Sequence, residues 1–215
     1  MKIAIDINGV VRDVFTKASL LYEKFFLEEK EDFVSSTYDE KNEEWVEEDS
    51  VDNFEYKLDL PVKSLDLTKH FRFKSKEELY DFFYVDFPMQ IFGHASSLTN
   101  NTFTILNEFY VNYRDDIDIY LISDEMGKSK PATLFFLSKY GSLIENINFY
   151  SNETMDKVIE DFDVVLTANP NIIEGYKTTK DIIKFNTTYN ENYDLENSID
   201  DLSELTEIID KILKK

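Results

Sequence analysis

The stretch Lys2-Ile3-Ala4-Ile5-Asp6-Ile7-Asn8-Gly9-Val10-Val11-Arg12-Asp13 decides the fold. An apolar run that stops at an acid and then at Asn-Gly reads as a buried strand ending in a tight turn. Beyond the turn, Val14, Ala18, Leu21 and Phe25 recur at helical spacing and predict an amphipathic helix from Val11 to Leu27. The same alternation of strand and helix returns after residue 95. Helices are expected at Thr99–Asn112, Lys130–Tyr140 and Met155–Glu160, with a helical turn at Asn171–Gly175 and a closing helix at Ile199–Leu213. Strands are expected at 117–122, 147–150, 163–166 and 182–185. Pro131 inside the first turn and Gly141 just past the end bracket the second of these helices. Five apolar strands alternating with helices predict an α/β fold with a parallel sheet covered on both faces.

Composition bounds what such a sheet can do. The chain has 215 residues, 42% of them hydrophobic, with 18 Phe and 13 Tyr, enough for one folded domain or one domain with a large insertion. The formal charge is −21, which argues against contact with nucleic acid or with an anionic membrane surface. There is no Cys, so thiolate metal sites and cysteine nucleophiles are excluded, and His70 and His94 are too few for a histidine metal centre. No apolar window is long enough for a membrane span or a secretory leader, and a cytoplasmic protein is expected.

The segment between the first strand and residue 96 differs in character. Residues 28–55 hold thirteen acidic and two basic side chains, a net of −11, with Phe33, Val34, Trp45, Val46, Val51 and Phe54 scattered among them. That pattern allows a helical stretch with one solvated face, or an acidic surface for a basic partner. Residues 56–95 carry Phe71, Phe73, Tyr80, Phe82, Phe83, Tyr84, Phe87 and Phe92. Glu77–Tyr84 reads as helical, ended by Pro88. Rings at this density pack a core or line a ligand slot.

In an open parallel sheet, ligands and chemistry gather at the carboxyl ends of the strands. After the first strand come Asp6, Asn8 and Gly9; after the second, Ser123 and Asp124; opening the next helix, Lys128 and Lys130; after the fourth, Thr167, Ala168 and Asn169. With these residues in this order, the chain resembles the haloacid dehalogenase superfamily, and within it the 5′(3′)-deoxyribonucleotidase branch. Asp6-Ile7-Asn8-Gly9-Val10 matches the first family motif, Ser123 the second, Lys130-Pro131 the third, and Asp163-Val164-Val165-Leu166 the strand of the fourth. The resemblance implies a Rossmann-like core made of residues 1–14 and 96–215, with strand order 3-2-1-4-5. It implies an inserted, mostly helical cap at residues 15–95.

It also implies roles. Asp6 stands where the family nucleophile attacks phosphorus to form an aspartyl-phosphate. Asn8 stands at the general acid–base position, where an amide cannot titrate. Ser123 and Lys130 hold phosphate, and Lys130 is expected within a few ångströms of Asp6 as its counter-charge; Lys128 is the alternative lysine. Mg²⁺ in the family takes the first Asp, a backbone carbonyl at the Asn8 position and acids of the fourth motif, which here are Thr167 and Ala168. Asp124 is the nearest substitute acid.

Two departures thus fall on the chemistry while the framework survives. The expectation is a non-catalytic module that contacts other protein chains, with no cofactor. Abundant Asn, Lys, Tyr, Phe and Glu with little Gly or Arg suggest an AT-rich genome, consistent with a phage protein in a virion assembly. The alternative is an Mg²⁺-dependent phosphohydrolase acting on a phosphorylated small molecule, with Asp6 as nucleophile. A third reading keeps the phosphate pocket for binding without turnover.

Overall fold

Strand β1 (Lys2–Asp6) runs through the middle of the molecule, with Ile3, Ala4 and Ile5 fully buried. The computed structural model describes residues 1–27, 36–39, 44–47, 58 and 60–214. Around β1 lie β6 (Asp118–Asp124), β7 (Ile147–Tyr150), β8 (Val164–Thr167), β9 (Asp181–Phe185) and β10 (Ser198–Ile199), in the order β10-β9-β8-β1-β6-β7. Every pairing in this sheet is parallel. The expected order is therefore present, with β1 between β6 and β8. The sheet has six strands rather than five. The extra one, β10, is two residues long, and its second residue, Ile199, was expected to open the closing helix. That helix, α7 (Leu205–Leu213), starts later, after a capping box in which Asp201 and Glu204 satisfy each other's backbone donors.

The period-2 alternation of each strand feeds two cores. Ile3, Ile5, Ile119, Leu121, Val164, Leu166 and Ile183 point to one face, covered by α3 (Thr102–Tyr113), α4 (Ser129–Tyr140) and α7. Ala4, Ile122, Val165 and Ile182 point to the other, covered by α5 (Met155–Glu160) and α6 (Pro170–Tyr176). Both faces are apolar, so the strands read as continuous hydrophobic runs. Gly141, at φ +70, ends α4 in the left-handed conformation that a Cβ disfavours.

The chain after β1 does not enter a helix at once. Arg12 and Asp13 form β2, an antiparallel pair with β5 (Ser96–Ser97), and the Asp13 side chain caps α1 (Val14–Tyr22) by accepting from the Thr16 N–H at 3.1 Å. The helix therefore starts three residues later than its periodicity suggests and ends in a π-helical turn at Glu23–Leu27. Within the acidic stretch, Ser36–Asp39 (β3) and Glu44–Glu47 (β4) pair as an antiparallel hairpin where a helix was allowed. The rest of residues 28–55 lies outside the described residues. Helix α2 (Lys76–Asp81) continues into π-helical turns at Phe82–Asp86 and Met89–Gly93. Pro88 ends the first turn as expected and opens the second, where its missing N–H costs nothing.

The aromatic residues of this segment pack on one another. Tyr22, Phe71, Phe82, Phe83 and Phe92 are buried together with Ala132 of α4, and the Phe82 ring lies 5.2–6.3 Å from those of Phe73, Phe83, Phe87, Phe26, Phe71 and Tyr22. Of the two readings of these rings, the packed core is the one observed at Phe82. Phe82→Ala is expected to lower unfolding stability by about 3–5 kcal/mol in urea titration. A loss under about 1 kcal/mol would mean that this cluster does not hold the segment together.

Candidate functional site

Parallel register brings the motif residues to one edge. Asp6 pairs with Ile122, next to Ser123 and Asp124 at the end of β6, and the pairing of Ile5 with Leu166 brings Thr167 at the end of β8 to its other side. Asp6 is only 2% exposed. Its Oδ2 accepts a hydrogen bond from Thr167 Oγ1 at 2.8 Å, and Oδ1 is buried with no partner among the described residues. Burial pushes the Asp6 pKa up to about 7; the Asp124 charge adds to the rise, and the Thr167 hydroxyl opposes it. Asp124 is itself raised to about 6, first by burial and then by the neighbouring Glu125 charge.

Asn8 and Ser123 meet, the Asn8 Nδ2 donating to Ser123 Oγ at 3.2 Å. The cation that joins them is Arg12. Its side chain and that of Glu125 are both fully buried and form a direct ion pair. All five N–H donors of Arg12 are used. Nε and Nη2 donate to Asn8 Oδ1 at 3.1 and 2.6 Å, Nη2 also to Glu125 Oε1, and Nη1 to the Phe92 carbonyl at 3.0 Å and Thr133 Oγ1 at 2.6 Å. The guanidinium lies 5.1 Å from the Phe92 ring centre and 5.2 Å from that of Phe136. Burial draws the Arg12 pKa down, and the Glu125 charge opposes this.

Lys130 is elsewhere. It is exposed, with its ammonium 5.7 Å above the Phe149 ring, and it makes no ion pair with Asp6. The expectation of an Asp6–Lys130 pair is corrected here: Arg12 is the basic side chain that acts on Asp6, and it arrives from β2 rather than from α4. Lys128, the alternative, donates to the Val85 carbonyl at 3.3 Å.

The loop after β1 is also covered from outside. Gly9 has φ +81, and a Cβ there would lie 2.0 Å from the Tyr189 hydroxyl, so only glycine fits. The Tyr189 ring is held edge-on against Phe15 at 5.4 Å. A groove of about 220 Å³ runs past Gly9, Phe15, Pro61, Val62 and Tyr189, and Asp6, Asn8, Ser123 and Lys130 do not line it. Typical ligand sites span about 300–1,000 Å³.

A hydrated Mg²⁺ fits these residues poorly. Asp6 has one orphaned oxygen to offer and Asp124 is the acid whose charge acts on it, but β8 ends at Thr167, followed by Ala168, and no group of three carboxylates or histidines converges among the described residues. An Mg²⁺ held by one or two carboxylates keeps several waters. Asp6 is almost fully buried, so a hydrated ion would reach it only if the side chains around it moved.

Comparison with known proteins adds the fold. No family model matches the sequence, and no curated protein matches it. A solved structure from Burkholderia xenovorans LB400, assigned as a haloacid dehalogenase-like hydrolase, superposes with a TM-score of 0.52 at 12% identity, covering 99% of this chain and 97% of that one. The chain has a haloacid dehalogenase-like fold.

Sequence reading missed Arg12, Glu125, Thr133 and Tyr189. One signal was available: Arg12 is a cation directly after the apolar pair Val10-Val11, at the edge of the strand-end turn. Its partner is 113 residues away, and nothing in spacing points to it.

The raised Asp6 pKa has a stability consequence with a fixed sign. The folded state holds its proton up to about pH 7, whereas the unfolded chain releases it near 3.8. Stability therefore falls as pH rises through that window, by up to about 1.4 kcal/mol per pH unit. Asp6→Asn removes this titration and is expected to melt several degrees above the wild type at pH 8. The gain should shrink toward zero near pH 4. A gain independent of pH would contradict a protonated, buried Asp6.

Proposed function

We propose that this chain is a non-catalytic haloacid dehalogenase-like module, with residues 15–95 as its inserted cap, whose work is contact with other protein chains. The observation that carries this reading is the Arg12–Glu125 pair, which engages from inside the groups that phosphate transfer would need. Ser123 spends its one hydroxyl hydrogen on Glu125 and accepts from the Asn8 amide. The Asn8 amide uses its nitrogen on Ser123 and its oxygen on Arg12, and it has no titrating proton to deliver to a leaving group. An attacking carboxylate must be ionised and reachable, whereas Asp6 is buried and half-protonated near pH 7. The charge of −21 favours partners with a basic surface and slows the approach of phosphorylated substrates.

The competing reading is an Mg²⁺-dependent phosphohydrolase with Asp6 as nucleophile and Ser123 and Lys130 on the phosphate. A phosphate-release screen over nucleotides and sugar phosphates with Mg²⁺ separates the two. The expected result is no release by the wild type above that of Asp6→Asn. Robust release that disappears in Asp6→Asn would overturn the non-catalytic reading.

A further inference from the structure

Three buried donors converge on a single oxygen. Glu125 Oε1 accepts from Arg12 Nη2, from Thr133 Oγ1 at 2.7 Å and from Ser123 Oγ at 3.2 Å. They come from three separate elements, β2, β6 and α4. All three side chains are fully buried, and so is Glu125. A guanidinium and two hydroxyls, preorganised in a buried site, are the ingredients of an oxyanion receptor. Each donor is oriented by its own second bond: Arg12 by Asn8 and the Phe92 carbonyl, Ser123 by the Asn8 amide, Thr133 by the Arg12 Nη1. The carboxylate they hold is bound through one oxygen only. Glu125 Oε2 is buried with no partner among the described residues. A carboxylate built into a complete polar network would have both oxygens satisfied.

The geometry points to a self-occupied oxyanion site: Arg12, Ser123 and Thr133 form a cradle for a small oxyanion, and the Glu125 carboxylate is its resident ligand. This inference rests on the closed, non-catalytic reading above and explains how the site is kept closed. An internal carboxylate is present at a fixed, high effective concentration, so free phosphate at millimolar levels does not displace it. Removing the carboxylate vacates the cradle and leaves Arg12 as an unpaired buried cation that an external anion can neutralise.

The test is calorimetric titration of Glu125→Ala and wild type with inorganic phosphate at constant ionic strength, with chloride as the control anion. Glu125→Ala is expected to bind one phosphate with a Kd at least about tenfold tighter than any wild-type binding, and adding Thr133→Val should weaken that binding again. Equal phosphate responses in Glu125→Ala and wild type would overturn the cradle. If Glu125→Ala does not stay folded in buffer, its recovery on dilution from urea is compared with and without phosphate. Greater recovery with phosphate supports the cradle, and equal recovery overturns it. A silent Glu125→Ala leaves the non-catalytic reading standing. Wild-type turnover in the phosphate-release screen removes that reading without touching the anion result.

Discussion

A fully buried ion pair between Arg12 and Glu125 constrains the rest of this molecule. Taking two charges out of water costs several kcal/mol each, and their attraction offsets this only with good geometry and satisfied hydrogen bonds. Here the guanidinium meets both conditions, with five donors used and two aromatic rings near it. The pair also joins parts that would otherwise touch only through apolar packing. Arg12 sits on the short β2–β5 pair, Glu125 follows β6, Thr133 belongs to α4, and the Phe92 carbonyl lies in the second π-helical turn. The aromatic segment is thereby registered on the sheet edge by directional bonds as well as by ring contacts.

The same constraint accounts for the state of the strand ends. A parallel sheet delivers Asp6, Ser123 and Thr167 to one place whatever the protein does there. What differs is which charges share that place. With an acid at the Thr167 position, Asp6 would need a cation. With a hydroxyl there instead, the Asp6 carboxyl holds its proton to about pH 7, and the Thr167 hydrogen bond meets one of its oxygens. With Glu125 on Arg12, the positive charge is neutralised internally. Tyr189 against Gly9 then covers the loop. Each of these contacts buries the strand ends further.

Much of the fold was legible in the sequence because the signals are local. Ile3-Ala4-Ile5, Val164-Val165-Leu166 and Ile182-Ile183 announce buried strands, and Pro131 with Gly141 brackets α4. β10 was not legible, since two residues carry no period. The late start of α1 was hidden because Val10, Val11 and Val14 fit a helix as readily as a turn followed by a strand pair. Asn8 and Ser123 were placed together by the motif order, and they do touch. The Lys130 expectation rested on its position at the helix start, which fixes where a backbone begins and not which cation a buried carboxyl meets. Arg12 is placed near Asp6 by its own ion pair with Glu125, 113 residues away, which no short-range pattern encodes.

Arg12 and Glu125 act as one unit, and a double-mutant cycle measures that most directly. Arg12→Met and Glu125→Leu each strand a buried charge and should each cost about 3–5 kcal/mol in denaturant unfolding. The double variant removes both charges and should cost well under the sum, with a coupling of at least about 2 kcal/mol. Additive losses in the double variant would contradict the account.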